Sequence, residues 1–383
     1  MIDRSRTSLL TLIILPLFVA QTPVFGCTIV SAVAEDGTVW NMNNEDGPQG
    51  VANFLSVFPQ TDSTRFGYYT LAYFTPSAGA GGNIQGGMNE AGLTFDFNSI
   101  PAISGFEFAD RLPFPEGDAA ILPYLLGNME TTGEVVAFFE KYWFANGFTS
   151  AQMHVADRSG QFAIISASGV KLSDRGKPLV STNFDICGGA PGTNCWRYPI
   201  ARSRLETGTV GLGLMQTIAE ETAVSGSGNT LYTNIQNLTT GEIWITSYHS
   251  PGTEVHIKLN DFLARGKRIY SFSDLDALAA DRATDVGLAP SGCTGVMPPS
   301  ATKLLVGNYR NGYVGEISVA DHEDGLAITF FGTNELIFEP CGGLLYRLPG
   351  EEVVIDFELD GRDLPDLLLY QEGYWSSTAE KIE

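Results

Sequence analysis

Charge is scarce in this chain, and positive charge scarcest. Only 17% of its 383 residues are charged, and 22 Lys and Arg stand against 44 Asp and Glu, a formal net charge of −22. Binding nucleic acid means neutralising phosphates with clustered Lys and Arg. No basic cluster is present, so a nucleic-acid partner is excluded. Long apolar runs are also missing. Beyond Leu9–Ala20, no stretch approaches the roughly 18 residues that would suggest a membrane-spanning helix, so no stable membrane insertion is expected after leader removal. Histidines number four (His154, His249, His256 and His322), and none accompanies a second cysteine motif of papain type. What is plentiful is apolar surface. Hydrophobic residues make up 44% of the chain, enough for a substantial core and against global disorder.

The N-terminus has the composition of a secretory leader. Arg4 and Arg6 precede the apolar Leu9–Ala20, and Val24-Phe25-Gly26 then offers a cleavage site directly before Cys27. A secreted or periplasmic protein with residues 1–26 removed is the expectation. The alternative is a lipid anchor at Cys27, since Val-Phe-Gly-Cys faintly resembles a lipobox; diacylation there would block both thiol and amine. The five cysteines are odd in number, so an exported chain keeps at least one thiol unpaired or linked between molecules. Proximity suggests Cys187 with Cys195, across "GGAPGTN", and Cys293 with Cys341, leaving Cys27 over.

Periodicity divides the rest. Residues 28–46 alternate as two strands joined at Asp36-Gly37, a favoured hairpin turn. Aromatics crowd residues 52–75, and the following Gly-rich segment lacks the Lys-Ser/Thr of a phosphate loop, so it reads as a turn between strands. Helical spacing holds over 118–145, around 200–206 and over 213–223. Strands are expected at 151–168, 178–184, 230–238 and 242–249. The order suggests an α+β protein with helices and antiparallel sheets in segregated layers. A Pro/Gly/Ser-rich stretch breaks both periods near 280–303. Short strands at steady spacing then predict a small all-β unit. The expected divisions are 27–282 for the larger domain, 283–302 for a linker and 303–383 for a small β-barrel domain.

A thiol on a first residue can be activated by its own α-amine, whose ordinary pKa of about 7.7–8.0 lets it be neutral and accept a proton at working pH. "CTIVSAVAEDGTVWNMNNED" resembles the start of the choloylglycine hydrolase and penicillin V acylase family, N-terminal-nucleophile enzymes that cleave linear amides. The resemblance continues through "NEAGLTFDFN", "LVSTNF", "CWRY" and "NTLYTNIQNLTTGEIWI", covering roughly residues 27–272. It implies a four-layer αββα fold, no metal or cofactor, and a small-molecule N-acyl amide as substrate. Carried onto this chain, it implies Cys27 as nucleophile and Asp46 as the holder of amine and thiol. Asn183 would position the N-terminus and the reacting carbonyl, and Arg197 would support the site electrostatically. Asn98 is the candidate oxyanion donor, with Asp96 and Ser99 beside it. Asn44 lies two residues from Asp46, so on a strand the two share a face; it is a candidate site-orienting residue. One departure stands out: Asn43 occupies the place of the family's arginine. A dipeptidase or acyltransferase of the same mechanism, or a lipoprotein binding module with an inactive core, remains the alternative. The acyl group, the amine and any homo-oligomer are left open. The C-terminal part resembles small β-barrel domains appended to secreted β-lactamase-like and peptidase proteins.

Overall fold

A computed structural model describes residues 26–47, 53–73, 83–103, 111–192, 195–225, 229–247, 254–272, 304–311, 315–330, 334–342, 344–349, 353–358, 366–371 and 374–382. Residues 1–25 of the expected leader, all of the expected linker and Cys293 lie outside the described residues.

The first elements are β1 (Thr28–Val33) and β2 (Val39–Gly47). The Asp36-Gly37 turn joins them, with Gly37 at φ 86°, a left-handed conformation that glycine adopts without Cβ strain. The aromatic region forms β3 (Asn53–Phe58) and β4 (Tyr68–Tyr73). Next come β5 (Asn83–Asn89) and β6 (Thr94–Ser99), so the Gly-rich segment contributes a strand as well as a turn. Within β5, a Cβ on Gly87 would run into the Tyr69 carbonyl of β4; close strand approach explains the glycine.

A short parallel pair, β7 (Leu112–Pro113) and β8 (Tyr142–Trp143), brackets the expected helical region. That region is divided. A 3-10 turn at Asp118–Ala120 leads into α1 (Ile121–Asn128), and α2 (Thr132–Lys141) begins afresh. A capping box causes the restart. The Thr131 hydroxyl accepts from Glu134 N (3.2 Å), while the Glu134 carboxylate accepts from Thr131 N (2.9 Å). The short α3 (Ala145–Phe148) precedes β9 (Ala151–Ala156), β10 (Phe162–Ser166), β11 (Gly169–Leu172) and β12 (Leu179–Ser181). Two helices follow, α4 (Arg197–Thr207) and α5 (Leu212–Thr222). Then come β13 (Asn229–Asn237), β14 (Glu242–Ser247), β15 (Glu254–Lys258), α6 (Leu259–Leu263) and β16 (Arg268–Ser271).

These strands make two antiparallel sheets, ordered β12-β1-β2-β13-β14-β15 and β11-β10-β9-β6-β5-β4-β3-β16. Buried apolar residues fall into three clusters around them. One joins residues of both sheets, among them Val39, Leu55, Tyr69, Phe162 and Ile243. A second packs Ala201, Met215 and Ile218 of α4 and α5 on Val30, Met42 and Ile235 of the six-stranded sheet. A third packs Ile121, Leu125, Val135 and Phe139 of α1 and α2 on Phe95, Met153 and Ile165 of the eight-stranded sheet.

The last eight strands are β17 (Gly307–Asn311), β18 (Gly315–His322), β19 (Gly325–Phe330), β20 (Asn334–Gly342), β21 (Leu345–Arg347), β22 (Val353–Glu358), β23 (Asp366–Gln371) and β24 (Tyr374–Lys381). Each runs antiparallel to the next, and β24 returns to β17 at Tyr309–Lys381, closing a barrel without free edges. Alternate residues such as Ile317, Val319, Leu326 and Ile328 fill it, and Phe54 of β3 joins the same apolar cluster.

One expectation is corrected here. Cys187 and Cys195 are both free thiols. The chain between them coils on itself, Ala190 N donating to Asp185 O (3.0 Å) and Gly189 N to Ile186 O (3.2 Å), and the thiols meet different partners. The Cys187 Sγ donates to Ile164 O (3.5 Å), whereas Cys195 sits beside Thr182 and Arg197. Cys341 is disulfide-bonded.

Candidate active site

The β1–β2 hairpin builds the centre of the site. Its register pairs Thr28 with Asn44 and Ile29 with Asn43, which brings Cys27 beside the end of β2. Successive side chains of a strand point to opposite faces, so β2 presents Asn43 and Glu45 one way and Asn44 and Asp46 the other. The shared face expected for Asn44 and Asp46 is there, and it is the α5 side. Asn44 Nδ2 donates to Ala219 O (2.8 Å) and to Thr222 Oγ1 (3.1 Å), and Asn44 Oδ1 accepts from Thr233 Oγ1 (2.7 Å). Asn44 ties helix to sheet and makes no hydrogen bond to Cys27.

The opposite face holds the thiol. Cys27 is 5% exposed, and its Sγ donates to Glu45 Oε2 at 3.1 Å. Asn43 Nδ2 donates to the same oxygen at 3.2 Å. Asp96, on β6 of the facing sheet, lies close enough to interact with both Asn43 and Glu45, and accepts from Phe97 N (2.9 Å). Acids therefore surround the sulfur. Burial, then the charges of Glu45, Asp46 and Asp96, push the Cys27 thiol well above its usual range. Burial raises the Glu45 carboxyl to about 7, against hydrogen bonds from Cys27 and Asn43 that lower it. Asp96 is raised further, by burial and then by Glu45.

On the other side of residue 27, Arg197 at the start of α4 gathers three partners. Its Nη1 donates to Gly26 O and to Asp46 Oδ2, and its Nη2 to Asn183 Oδ1. Asp46 also accepts from Thr230 Oγ1 (2.6 Å). Burial lifts its carboxyl to about 7 although Arg197 and Thr230 pull it down. Above that value the Asp46 carboxylate is charged and in direct contact with the guanidinium. Asn183 Nδ2 donates to Ser99 O (2.7 Å). Asn98 Nδ2 donates to the Cys27 carbonyl oxygen (3.0 Å), and Asn98 Oδ1 has no hydrogen-bond partner among the described residues. Gly26 is packed so closely that a Cβ would overlap Asn183 and Arg197.

Five of the six sequence-derived candidates (Cys27, Asp46, Asn98, Asn183 and Arg197) thus converge on residues 26 and 27 from separate segments, and Asn44 faces away. The residue that sequence reading missed is Glu45. The signal was available: in the hairpin register Cys27 shares a face with positions 43 and 45, not with 44 and 46.

A cavity of about 280 Å³ opens onto Cys27 and Glu45, with Tyr73, Phe97, Leu122 and Phe144 on its walls. A larger hollow of about 550 Å³ lies by Lys171, Tyr198 and Arg202, and Cys27 does not line it. Among the described residues no three His, Cys, Asp or Glu are grouped to hold a metal ion, and no helix is long and apolar enough to cross a membrane.

No family profile matches the chain, and no curated protein does. Solved structures do. A variant of conjugated bile acid hydrolase from Clostridium perfringens aligns at 14% identity and a TM-score of 0.48, over 64% of this chain and 96% of that one. Penicillin V acylase from Agrobacterium tumefaciens aligns at 16% identity and 0.46, over 64% and 90%. The Caenorhabditis elegans ortholog of N-acylethanolamine-hydrolyzing acid amidase aligns at 16% and 0.42, over 64% and 100%.

Proposed function

We propose that this chain is an exported cysteine hydrolase of the choloylglycine hydrolase and penicillin V acylase type, cleaving the linear amide of a small N-acyl compound. The carrying observation is a single hydrogen-bonded chain, Asp46–Arg197–Asn183, that grips residue 26 while the Cys27 thiol opens onto a cavity. Removal of residues 1–26 turns the Cys27 nitrogen into an α-amine beside Asp46 and Arg197. The three apolar clusters support an αββα layering for the described residues of the 27–282 domain, and the closed set of eight strands supports a barrel in the 303–383 domain; a linker at 283–302 completes this division.

In this reading the sulfur attacks the amide carbonyl, and the α-amine, held by Asp46, serves proton transfer. Asn98 and Asn183 supply side-chain N–H groups for the tetrahedral oxyanion; both then exchange the backbone carbonyls they now serve. Water hydrolyses the thioester. The cavity argues for the acyl class. Its lining mixes Ile84, Phe97, Leu122 and Phe144 with Asn83, Gln85, Ser99 and Ser150, it carries Glu45 and Asp46, and Arg197 is already committed to Asp46. An acyl group bearing a carboxylate would meet two acids and no uncommitted cation among the described residues that line it, so an uncharged acyl group is the substrate.

The test is a panel of p-nitroanilides, hexanoyl and phenylacetyl against succinyl and glutaryl, with protein that starts at Cys27. Turnover of the neutral pair, abolished by Cys27→Ala, supports the reading. Cys27→Ala protein with full turnover would end it, and preference for the succinyl or glutaryl compounds would overturn the acyl class.

A further inference from the structure

The thiol's own hydrogen bond goes to a side chain that the reaction as written above leaves idle. Cys27 Sγ points at Glu45 Oε2, 3.1 Å away, and Asn43 Nδ2 fixes the same oxygen from 3.2 Å. Both residues lie on the cavity. Resting on the Cys27 reading, we propose that Glu45 is a catalytic residue: it takes the Sγ proton directly, which frees the α-amine to act as the acid on the leaving nitrogen. Distance and orientation carry this assignment. A base has to reach the proton that it removes within about 2.6–3.2 Å, and among the described residues Glu45 is the carboxylate that does so.

The protons balance. As the sulfur's electron pair forms the C–S bond, the Sγ proton moves to Glu45 and the carbonyl pair moves to oxygen. On collapse the C–N bond breaks, and the leaving nitrogen takes a proton from the α-ammonium. In deacylation water gives a proton to the amine and its oxygen to the carbonyl carbon; the departing sulfur takes its proton back from Glu45. At pH near 7 both partners begin in the required state, because the α-amine, with an ordinary pKa of about 7.7–8.0, is still largely protonated while a good share of Glu45 is ionised. The groups that face Glu45 are Cys27, Asp46 on its own strand, Asp96 from β6, Tyr73 from β4 and Tyr232 from β13. Arg197 reaches it only through Asp46. Burial first, and then the charge of Asp46, keeps Glu45 protonated at low pH, and no cation touches it directly among the described residues.

Two readouts moving in opposite directions test this. Glu45→Gln removes both the base and the negative charge that opposes the thiolate. Turnover of the phenylacetyl or hexanoyl p-nitroanilide should fall about 100-fold or more, the scale of a lost general base, and the rising limb of kcat/KM near pH 7 should vanish. Alkylation of Cys27 by iodoacetamide at pH 7.5, read by peptide mass, should instead speed up several-fold. A merely structural role would slow both. Glu45→Asp, which keeps the charge and loses the reach, should lower turnover and leave alkylation near the native rate; it carries the test where Gln impairs folding. Variants within about threefold of native turnover, or alkylation falling in step with turnover, overturn the assignment. Loss of the Cys27 reading shows itself separately, as turnover that survives Cys27→Ala, and native protein that cleaves none of the anilides defeats both.

Discussion

Raising the pH from 5 to 8 should destabilise this protein, and Glu45 should account for a measurable part of the loss. The carboxyl stands at about 7 in the fold against an ordinary 4.5, because burial penalises its charged form. Between those values the folded state binds more protons than the unfolded one, so the free energy of unfolding falls as pH rises through the window. Below 4.5 both states are protonated and the effect is absent. Above 7 it is complete, about 3 kcal/mol for a shift of this size at roughly 1.4 kcal/mol per pKa unit. Asp46 and Asp96 are raised in the same direction, so the native slope is steeper than Glu45 alone would give. The assay is urea unfolding at pH 5, 6, 7 and 8, followed by the fluorescence of Trp40, Trp143 and Trp244, in the native protein and in Glu45→Gln. The variant should match the native protein at pH 5 and exceed it at pH 8, with a flatter profile. A native midpoint that is constant or climbs from pH 5 to 8, or a variant profile parallel to the native one, would refute the buried-acid account of the site.

Asn44→Ala should cost about 1–3 kcal/mol, since the donors and acceptors it now satisfies on α5 and Thr233 are left buried; thermal melting reads the loss, and turnover per folded molecule should stay unchanged. Gly26→Ala should lower the melting temperature of the uncut chain, where a Cβ overlaps Asn183 and Arg197, and it has no counterpart in protein that starts at Cys27. Denaturing the protein without reductant and adding iodoacetamide should label Cys187 and Cys195 in full, whereas an intact mass short of those two labels would restore the bridge between them.

How far the sequence could be read depends on the range of the interactions. The β1–β2 hairpin was legible because its turn, its alternation and its glycine lie within 20 residues. The barrel strands were legible for the same reason: each pairs with the next along the chain. The helical region at 118–145 showed its period but not its division, which depends on the capping box of Thr131 and Glu134. Asn44 illustrates what pattern cannot supply. Alternation grouped it with Asp46 and the hairpin register sets that face apart from the thiol, yet what covers the face is α5, which arrives some 175 residues later.

The two carboxylates of the Asn43–Asp46 run then take different work by parity alone. Asp46 shares the α5-side face and is caught there by Arg197, so its charge is matched inside the protein. Glu45, one residue earlier, faces the sulfur and Asp96, where the only donors among the described residues are a thiol and the amide of Asn43. Asn43 itself carries no charge. An arginine there would neutralise Glu45 and stabilise a thiolate, whereas the neutral amide leaves a carboxylate able to accept a proton and a thiol with little reason to ionise beforehand. Such a thiol attacks an amide only when its proton has somewhere to go during attack. The pairing of an uncharged residue 43 with an acidic residue 45 is therefore one electrostatic arrangement, and introducing a cation with Asn43→Arg should lower the thiol's pKa while making Glu45 dispensable. Turnover in Asn43→Arg that still collapses on adding Glu45→Gln would break this link between the two positions.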